Sequence, residues 1–171
     1  MINRVVTGYL EENCYIVTKD NNCIVIDPGD NIELILEKIK NYNLIGILIT
    51  HYHEDHIGAL KDLLNYKKVK IYDYKLNEDE YKIDNIKFDI IKVPGHTKDS
   101  VIFYFKDINS MFTGDFLFKE SIGRCDLGGN IKDMKDSISK IKKYNNSIII
   151  YPGHGDSSNL EHEFKYNYYL Q

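Results

Sequence analysis

Histidines and carboxylates are concentrated in one short segment of this chain, THYHEDHIG, residues 50–58. In an extended stretch, residues two apart point to the same side, so the spacing predicts that His51, His53 and Asp55 converge. His56 is expected to begin the next helix and to turn away from them. Imidazole nitrogen and carboxylate oxygen are ligands that suit Zn²⁺, Fe or Mn²⁺. The segment therefore predicts a transition-metal site.

Further candidate ligands follow later predicted strands. His96 in VPGHT and His154 in YPGHG each come directly after a Pro-Gly pair, which ends a strand with a turn. Asp115 ends the predicted strand SMFTGD. Each of the three, taken alone, also fits an ordinary turn residue. A site for two metal ions needs an anionic group between them, and Asp115 is the best placed candidate.

Short β-branched runs alternate with helical patterns along the chain. Strands are predicted over residues 14–18, 22–27, 44–50, 69–74, 85–93, 100–105, 110–115 and 147–153. Helices are predicted over residues 31–42, 57–65, 131–144 and 159–170, with an acidic turn over 76–81. Interleaved strands and helices indicate an α/β protein with some parallel pairing, in which the loops that leave strands carry the site.

Composition excludes several classes of protein. The chain has 171 residues, 43% hydrophobic and 28% charged, as is usual for a single globular domain. Its net charge of −4 provides no basic surplus for nucleic acid, and no apolar run approaches the roughly 20 residues that span a bilayer. The N-terminus lacks the pattern of a secretion signal. Three widely spaced cysteines, Cys14, Cys23 and Cys125, indicate reduced thiols and a cytoplasmic location.

The motifs together resemble the metallo-β-lactamase superfamily. THYHEDH resembles its HxHxDH signature, and VPGHT, GD and YPGHG match its later motifs in the same order. FKESIGRCDLGGN (118–130) and NLEHEFKYN (159–167) resemble the glyoxalase II-like branch, the hydroxyacylglutathione hydrolases and their single-domain relatives. The resemblance implies an α/β fold, a four-layer αβ/βα sandwich with two mixed β-sheets. It also implies one domain over residues 1–171, without the C-terminal helical domain that binds glutathione.

The resemblance further implies two divalent metal ions, Zn²⁺ in the first instance, with Fe or Mn as alternatives. It assigns the first ion to His51, His53 and His96. It assigns the second ion to Asp55, His56 and His154. Asp115 would bridge the two ions, so that Asp55 and Asp115 are the candidate catalytic carboxylates.

Other residues near these motifs have open interpretations. Asp27 either supports a metal ligand from behind or belongs to a plain Asp-Pro-Gly turn. Arg124 either pairs with a substrate carboxylate or, as we favour, forms an ion pair with Asp126. Glu54 fills a variable position of the motif and receives no role. His162 is flanked by glutamates in a predicted helix and is expected to be a solvated surface residue.

The activity implied is hydrolysis of a thioester by attack of a hydroxide that bridges the two metals. Alternatives on the same scaffold are a mononuclear iron persulfide dioxygenase, a lactonase or β-lactamase, a phosphodiesterase or nuclease, and a non-catalytic metal-binding module. Departures from the usual loop residues at Cys125, Gly128 and Asn130 remove no ligand and leave the thiol carrier open. We expect a small acyl substrate, no nucleic-acid or membrane partner, and a monomer or weak homo-oligomer.

Overall fold

The strands form two mixed sheets and one small hairpin in a computed structural model that describes residues 1–171. The first sheet has the order β1-β2-β3-β4-β5: β1 (Ile2–Thr7), β2 (Glu12–Lys19), β3 (Asn22–Ile26), β4 (Asn43–Leu48) and β5 (Ile71–Tyr72). The second sheet has the order β13-β12-β9-β8-β7-β6: β6 (Glu80–Ile83), β7 (Ile86–Lys92), β8 (Val101–Phe105), β9 (Ser110–Gly114), β12 (Ile149–Pro152) and β13 (Ser158–Asn159). The hairpin consists of β10 (Leu117–Phe118) and β11 (Ser121–Ile122).

Five α-helices flank the sheets. They are α1 (Ile32–Ile39), α2 (Glu54–Ile57), α3 (Leu60–Tyr66), α4 (Ile131–Ile141) and α5 (Leu160–Tyr166). Two short 3₁₀ helices cover Lys106–Ile108 and Tyr168–Leu170. None of the helices combines the length and the apolar composition that crossing a bilayer would require.

Three separate apolar cores define the layers. The central core joins the inner faces of the two sheets, with Leu48 on one side and Phe88 and Phe103 on the other. A second core packs α1 and α3 on the outer face of the first sheet, and a third packs α4 and α5 on the outer face of the second. Each sheet is therefore covered on both faces, as continuous apolar strands such as Leu44–Ile49 require. The predicted four-layer α/β sandwich with two mixed sheets is confirmed.

The sheet pairing brings strand ends to one edge of the sandwich. β3 runs parallel to β4, and β12 runs parallel to β9. The two sheets are joined where these strands finish, because the amide of Val101 donates to the carbonyl of Thr50 at 2.9 Å. Carboxyl ends of parallel strands are where α/β folds place their sites. The loops after β3, β4, β9 and β12 therefore leave from one region.

The predicted helix over 57–65 is wrong in its bounds, because the structure has two short helices there. The backbone amide of Ala59 donates to the carbonyls of Pro28, at 3.0 Å, and Gly29, at 2.8 Å. A Cβ added to Gly58 would lie 2.2 Å from the Gly29 oxygen. The chain thus packs directly against the loop after β3, and this contact interrupts the helix between α2 and α3.

The predicted acidic turn over 76–81 is also wrong at its end, since β6 begins at Glu80. Tyr81 and Ile83 lie two residues apart and pack on the central core, while Glu80 and Lys82 face solvent. Alternation of this kind is the mark of a half-buried strand. The C-terminal helix is shorter than predicted, because Asn167 leaves helical geometry and its side chain accepts from the amide of Tyr169.

Candidate metal centre

Three imidazoles form the first group of candidate ligands. His51 follows β4, His53 immediately precedes α2, and His96 lies in the turn after β7. The Nδ1 atom of His53 lies 3.1 Å from Nε2 of His51 and 3.0 Å from Nε2 of His96. Three ring nitrogens therefore point at a common centre, which is the arrangement that a metal ion with nitrogen ligands requires.

The outward nitrogens of two of these rings are occupied by the protein backbone. His53 Nε2 donates to the carbonyl of Leu127 at 3.1 Å, and His96 Nδ1 donates to the carbonyl of Arg124 at 2.7 Å. A neutral imidazole has one N–H, so these bonds leave the inward nitrogen of each ring as a lone pair. Burial lowers the pKa of His51 and His96, which favours the same neutral, ligating form.

Asp55, His56 and His154 form the second group. Nε2 of His154 lies 3.2 Å from Oδ2 of Asp55, and Nε2 of His56 lies 3.9 Å from the same oxygen. The expectation that Asp55 joins His51 and His53 along an extended strand is wrong, because α2 begins at Glu54 and turns Asp55 away. His56 lies in this second group, apart from the nitrogens of His51, His53 and His96, although its fully buried ring is 4.1 Å from the ring of His51.

Asp115 lies between the two groups. Its Oδ2 atom is 3.6 Å from Nε2 of His96 and 3.6 Å from Nε2 of His154, while Oδ1 is 3.2 Å from Nε2 of His56. Burial alone would raise the pKa of Asp115, but the His56 contact outweighs it and holds that pKa well below its usual range. The carboxylate is thus an anion that faces both groups.

Two buried atoms at this centre have no hydrogen-bond partner, Nε2 of His56 and Oδ1 of Asp115. Buried polar atoms in native proteins are nearly always satisfied, and an unsatisfied one costs about 1–3 kcal/mol. A nitrogen and a carboxylate oxygen that face each other without a hydrogen bond fit a cation between them. The residues present therefore fit divalent metal ions of the zinc, iron or manganese type.

Asp27 supports His56 from behind. Its Oδ2 atom lies 3.0 Å from Nδ1 of His56 and accepts the hydroxyl of Thr50 at 2.6 Å, while Oδ1 accepts the amide of Thr50 at 2.7 Å. Burial by itself would lower the pKa of His56, but the carboxylates of Asp115 and Asp27 outweigh it and raise that pKa. Of the two interpretations open for Asp27, the structure favours support of a candidate ligand.

The N-terminal hairpin positions His154, a role that sequence reasoning did not assign to any residue. Nδ1 of His154 donates to the carbonyl of Leu10 at 3.0 Å. The buried side-chain amide of Asn13 donates to the carbonyls of Pro152, at 3.0 Å, and Gly155, at 2.9 Å. The one signal in the sequence was a polar Asn at the start of the apolar run of β2.

Close packing around the centre needs glycine at one position in particular. A Cβ added to Gly153 would lie 2.3 Å from Oδ1 of Asp115 and 2.6 Å from Cε1 of His56. No real Cβ approaches other atoms so closely. The Pro-Gly pair before His154 thus does more than turn the chain, because its glycine lets β12 pack against the ligand groups.

The remaining singled-out residues lie outside the two groups. Arg124 forms the expected ion pair with Asp126, with two contacts of 2.6 Å. His162 is less exposed than predicted, since its Nε2 atom lies 2.8 Å from Oε1 of Glu120 and its side chain is 31% exposed. Glu54 is exposed at the start of α2 and makes no ion pair.

The two groups form the floor of an open cleft of about 780 Å³. Its walls come from the β1–β2 hairpin loop, the loop after β3, the start of α2, the hairpin β10–β11 and the loop that follows β11. A cleft of this size can hold a small organic molecule. Five of the candidate ligands line it: His53, Asp55, His96, Asp115 and His154.

A family model described as the metallo-beta-lactamase superfamily matches residues 7–82 and 72–154 of the chain. The chain belongs to the metallo-β-lactamase superfamily. A protein of Haemophilus influenzae named hydroxyacylglutathione hydrolase GloC is 29% identical, over 94% of this chain and 93% of that protein. The resemblance to the superfamily and to its glyoxalase II-like members, drawn from the motifs, is confirmed.

Solved structures of this superfamily superpose closely on the chain. The crystal structure of BLEG-1 B3 metallo-beta-lactamase gives a TM-score of 0.96 at 26% identity and covers 99% of both chains. The crystal structure of TTHA1623 in a di-iron-bound form gives 0.89 at 28% identity and covers 98% of this chain and all 100% of that one. Superfamily membership and the candidate ligand clusters together support a metal-dependent hydrolase.

Proposed function

We propose that this superfamily member is a dinuclear metal-dependent hydrolase that acts on thioesters. The observation that carries the proposal is the position of Asp115, whose Oδ2 atom is equally distant, at 3.6 Å, from a histidine nitrogen of each ligand group. A carboxylate in that position serves to hold two cations a few ångströms apart.

The ligand assignment follows the two groups. His51, His53 and His96 would hold the first metal, and Asp55, His56 and His154 would hold the second. Asp115, which faces both groups, would be a ligand shared by the two. The backbone carbonyls of Leu10, Leu127 and Arg124 keep the inward nitrogens of three of these rings available as ligands.

Bound divalent metals would supply a water of lowered pKa and a Lewis acid for the substrate carbonyl. The chain itself contributes two carboxylates at the floor of the cleft. Asp55 and Asp115 can each hold a water by hydrogen bonding, and a free carboxylate oxygen can accept its proton as it attacks. A thiolate is a good leaving group, so the departing sulfur requires no general acid from the protein.

No side chain of the chain is needed as a nucleophile. Cys125 is the cysteine nearest the cleft, and burial raises the pKa of its thiol. The sequence contains no GxSxG segment that would present an activated serine. These two features favour attack by water over a covalent intermediate.

Two of the comparisons support the finer assignments. The Haemophilus influenzae relative is named a hydroxyacylglutathione hydrolase, which is a thioester hydrolase. The related TTHA1623 structure is of a di-iron-bound form, and its match with this chain extends over the whole length of the TTHA1623 chain. Together they favour a two-metal centre and a thioester substrate for this chain.

The test is metal quantification on the purified protein, together with hydrolysis of S-lactoylglutathione and of simpler acyl thioesters. We expect about two metal ions per chain, consistent with a two-metal site, and thiol release that stops when a chelator removes the metal. One iron per chain with oxygen uptake on a persulfide would instead support a dioxygenase. Turnover of a lactone, a β-lactam or a phosphodiester in preference to every thioester would also overturn the proposal.

A further inference from the structure

The mouth of the cleft carries an unbalanced set of charges. Apart from the candidate metal ligands, three charged residues line it, Asp30, Glu54 and Arg124. No lysine lines the cleft. The divalent metals at the floor would face the acyl group. At the mouth, where the thiol carrier would lie, the side-chain charge therefore depends on whether Arg124 is free to act as a cation.

Arg124 is already paired. Its Nε and Nη2 atoms both donate to the carboxylate of Asp126, each at 2.6 Å, in the two-pronged geometry that suits guanidinium and carboxylate. The pair as a whole is neutral. Any substrate carboxylate that approaches Arg124 must compete with Asp126, which stays beside it in either case.

The two acidic residues have no such partner. No lysine or arginine nitrogen lies within 4.0 Å of the carboxylate of Asp30 or of Glu54. Both residues are exposed at the mouth, one on the loop after β3 and the other at the start of α2. They present two uncompensated negative charges to an entering molecule.

The rest of the mouth is apolar. Tyr9 is 91% exposed, and Leu10 and Leu127 are each 48% exposed, on two loops that line the cleft. Phe118 lies beside them, with its ring 6.2 Å from that of His154. Exposed apolar side chains around a cleft mark a surface that contacts a ligand.

We propose that this mouth selects acyl thioesters whose thiol carrier is neutral or cationic, and that it disfavours carriers with a net negative charge, such as glutathione. The inference rests on the proposed thioesterase function, since it names the substrate class of the same site. Because Asp126 neutralises Arg124, the loop over 123–128 places an arginine at the cleft without creating a binding site for anions.

The experiment compares three acetyl thioesters on the metal-loaded protein: acetylthiocholine (a cation), S-acetyl-N-acetylcysteamine (neutral) and S-acetyl-3-mercaptopropionate (an anion). The affinities of the three free thiols are measured in parallel by calorimetry, which requires no turnover. We expect kcat/KM and affinity to be lowest for the anion. Added salt should lower kcat/KM for the cation and raise it for the anion, because it screens the acidic mouth.

Charge-reversal variants remove the effect of unequal leaving groups. Glu54→Lys should shift the cation-to-anion ratio of kcat/KM and of thiol affinity toward the anion by about tenfold, and Asp30→Lys by a similar factor. The metals and the thiol chemistry are the same in parent and variant, so they cancel in this comparison. Glu37→Lys, on the exposed face of α1, makes the same charge change away from the cleft and should leave the ratio unchanged.

Glu54 lies between two candidate ligands in the sequence, so the metal content of each variant is measured. If Glu54→Lys binds less metal than the parent, the conclusion is drawn from Asp30→Lys alone. Hydrolysis with no ranking by charge overturns this inference and leaves the proposed function standing. Thiol affinities that rank and shift as expected, without hydrolysis of any thioester, overturn the proposed function, and the selection among thioesters inferred here falls with it. Preference for the anion, an unchanged ratio in both variants, or no binding of any thiol overturns the inference.

Discussion

The Oδ2 atom of Asp27 lies 3.0 Å from Nδ1 of His56, on the side of the ring opposite Asp115. The same carboxylate is held by the amide and the hydroxyl of Thr50. An acceptor fixed behind an imidazole keeps the proton on the near nitrogen and leaves the far nitrogen as a ligand. The loop after β3 thus determines which face of His56 can bind a metal.

Asp27→Asn should weaken the second metal position by about 10–100-fold, the usual effect of changing the partner of a metal-binding histidine. The variant keeps the shape of the side chain but can place an N–H against the N–H of His56. The measurement is metal affinity by competition with a chelator, with Asp136→Asn on the exposed face of α4 as the control. An unchanged affinity would show that Asp27 serves the turn alone.

His53→Ala should remove metal and activity together. The ring supplies the nitrogen that lies between those of His51 and His96, at 3.1 and 3.0 Å, so its loss opens the first ligand group at its centre. We expect a fall in metal affinity greater than the roughly 10–100-fold that changes to outer partners cause. His162→Ala changes a histidine outside the cleft and should keep both metal and turnover. Full turnover by His53→Ala would mean that the site is wrongly assigned.

Sequence spacing alone predicted where the ligands lie along the chain better than it predicted their arrangement. The extended-strand argument joined Asp55 to the wrong group, because a helix of four residues begins at Glu54 and no propensity marks so short an element. The division into two groups came from the resemblance, and in the structure the candidate ligand atoms of each group lie within 4.8 Å of one another. Close approach, as at Gly58 and Gly29, depends on residues far apart in sequence and is not visible in a local pattern.

The roles of the N-terminal hairpin were missed for a related reason. β1 carries one buried hydrophobic residue, Val5, and its sequence INRVVT shows little alternation of apolar and polar residues, so its pairing with β2 has no strong local signal. In the sequence Asn13 is an ordinary polar residue, and its role is visible only in the folded structure, where β12 lies beside it. Its two hydrogen bonds span 139 and 142 residues of sequence. Contacts of that separation are fixed by the packing of the two sheets and not by local preference.

Asn13→Leu should loosen the loop that carries His154. The change keeps the branching of the side chain but removes its two N–H donors, and we expect a loss of about 1–3 kcal/mol in the free energy of unfolding. It should also lower metal affinity at the second position. Arg4→Ala removes an exposed donor to the same Gly155 carbonyl and should cost less than about 0.5 kcal/mol.

The measurements for Asn13→Leu are urea denaturation of the metal-free protein and chelator competition on the metal-loaded protein. Restoring the amide one methylene further out, with Asn13→Gln, should recover part of the metal affinity if hydrogen bonding is the cause. Equal stability of Asn13→Leu and the parent would contradict the inferred role.

Glu163 connects the C-terminal helix to the hairpin under the cleft. The side chain is fully buried, and its oxygens accept from the amide of Glu120 at 2.7 Å, from the side-chain amide of Asn167 at 2.9 Å and from the hydroxyl of Ser158. Glu163→Gln replaces one carboxylate oxygen by an NH₂ group, from which only the hydroxyl of Ser158 can accept. The two bonds from N–H groups then go to a neutral amide oxygen, which is a weaker acceptor than a carboxylate. We expect a loss of about 1–3 kcal/mol in the free energy of unfolding, by urea denaturation. Glu161→Gln, two residues away and exposed, should change it by less than about 0.5 kcal/mol. Equal losses in the two variants would show that burial of Glu163 contributes nothing specific.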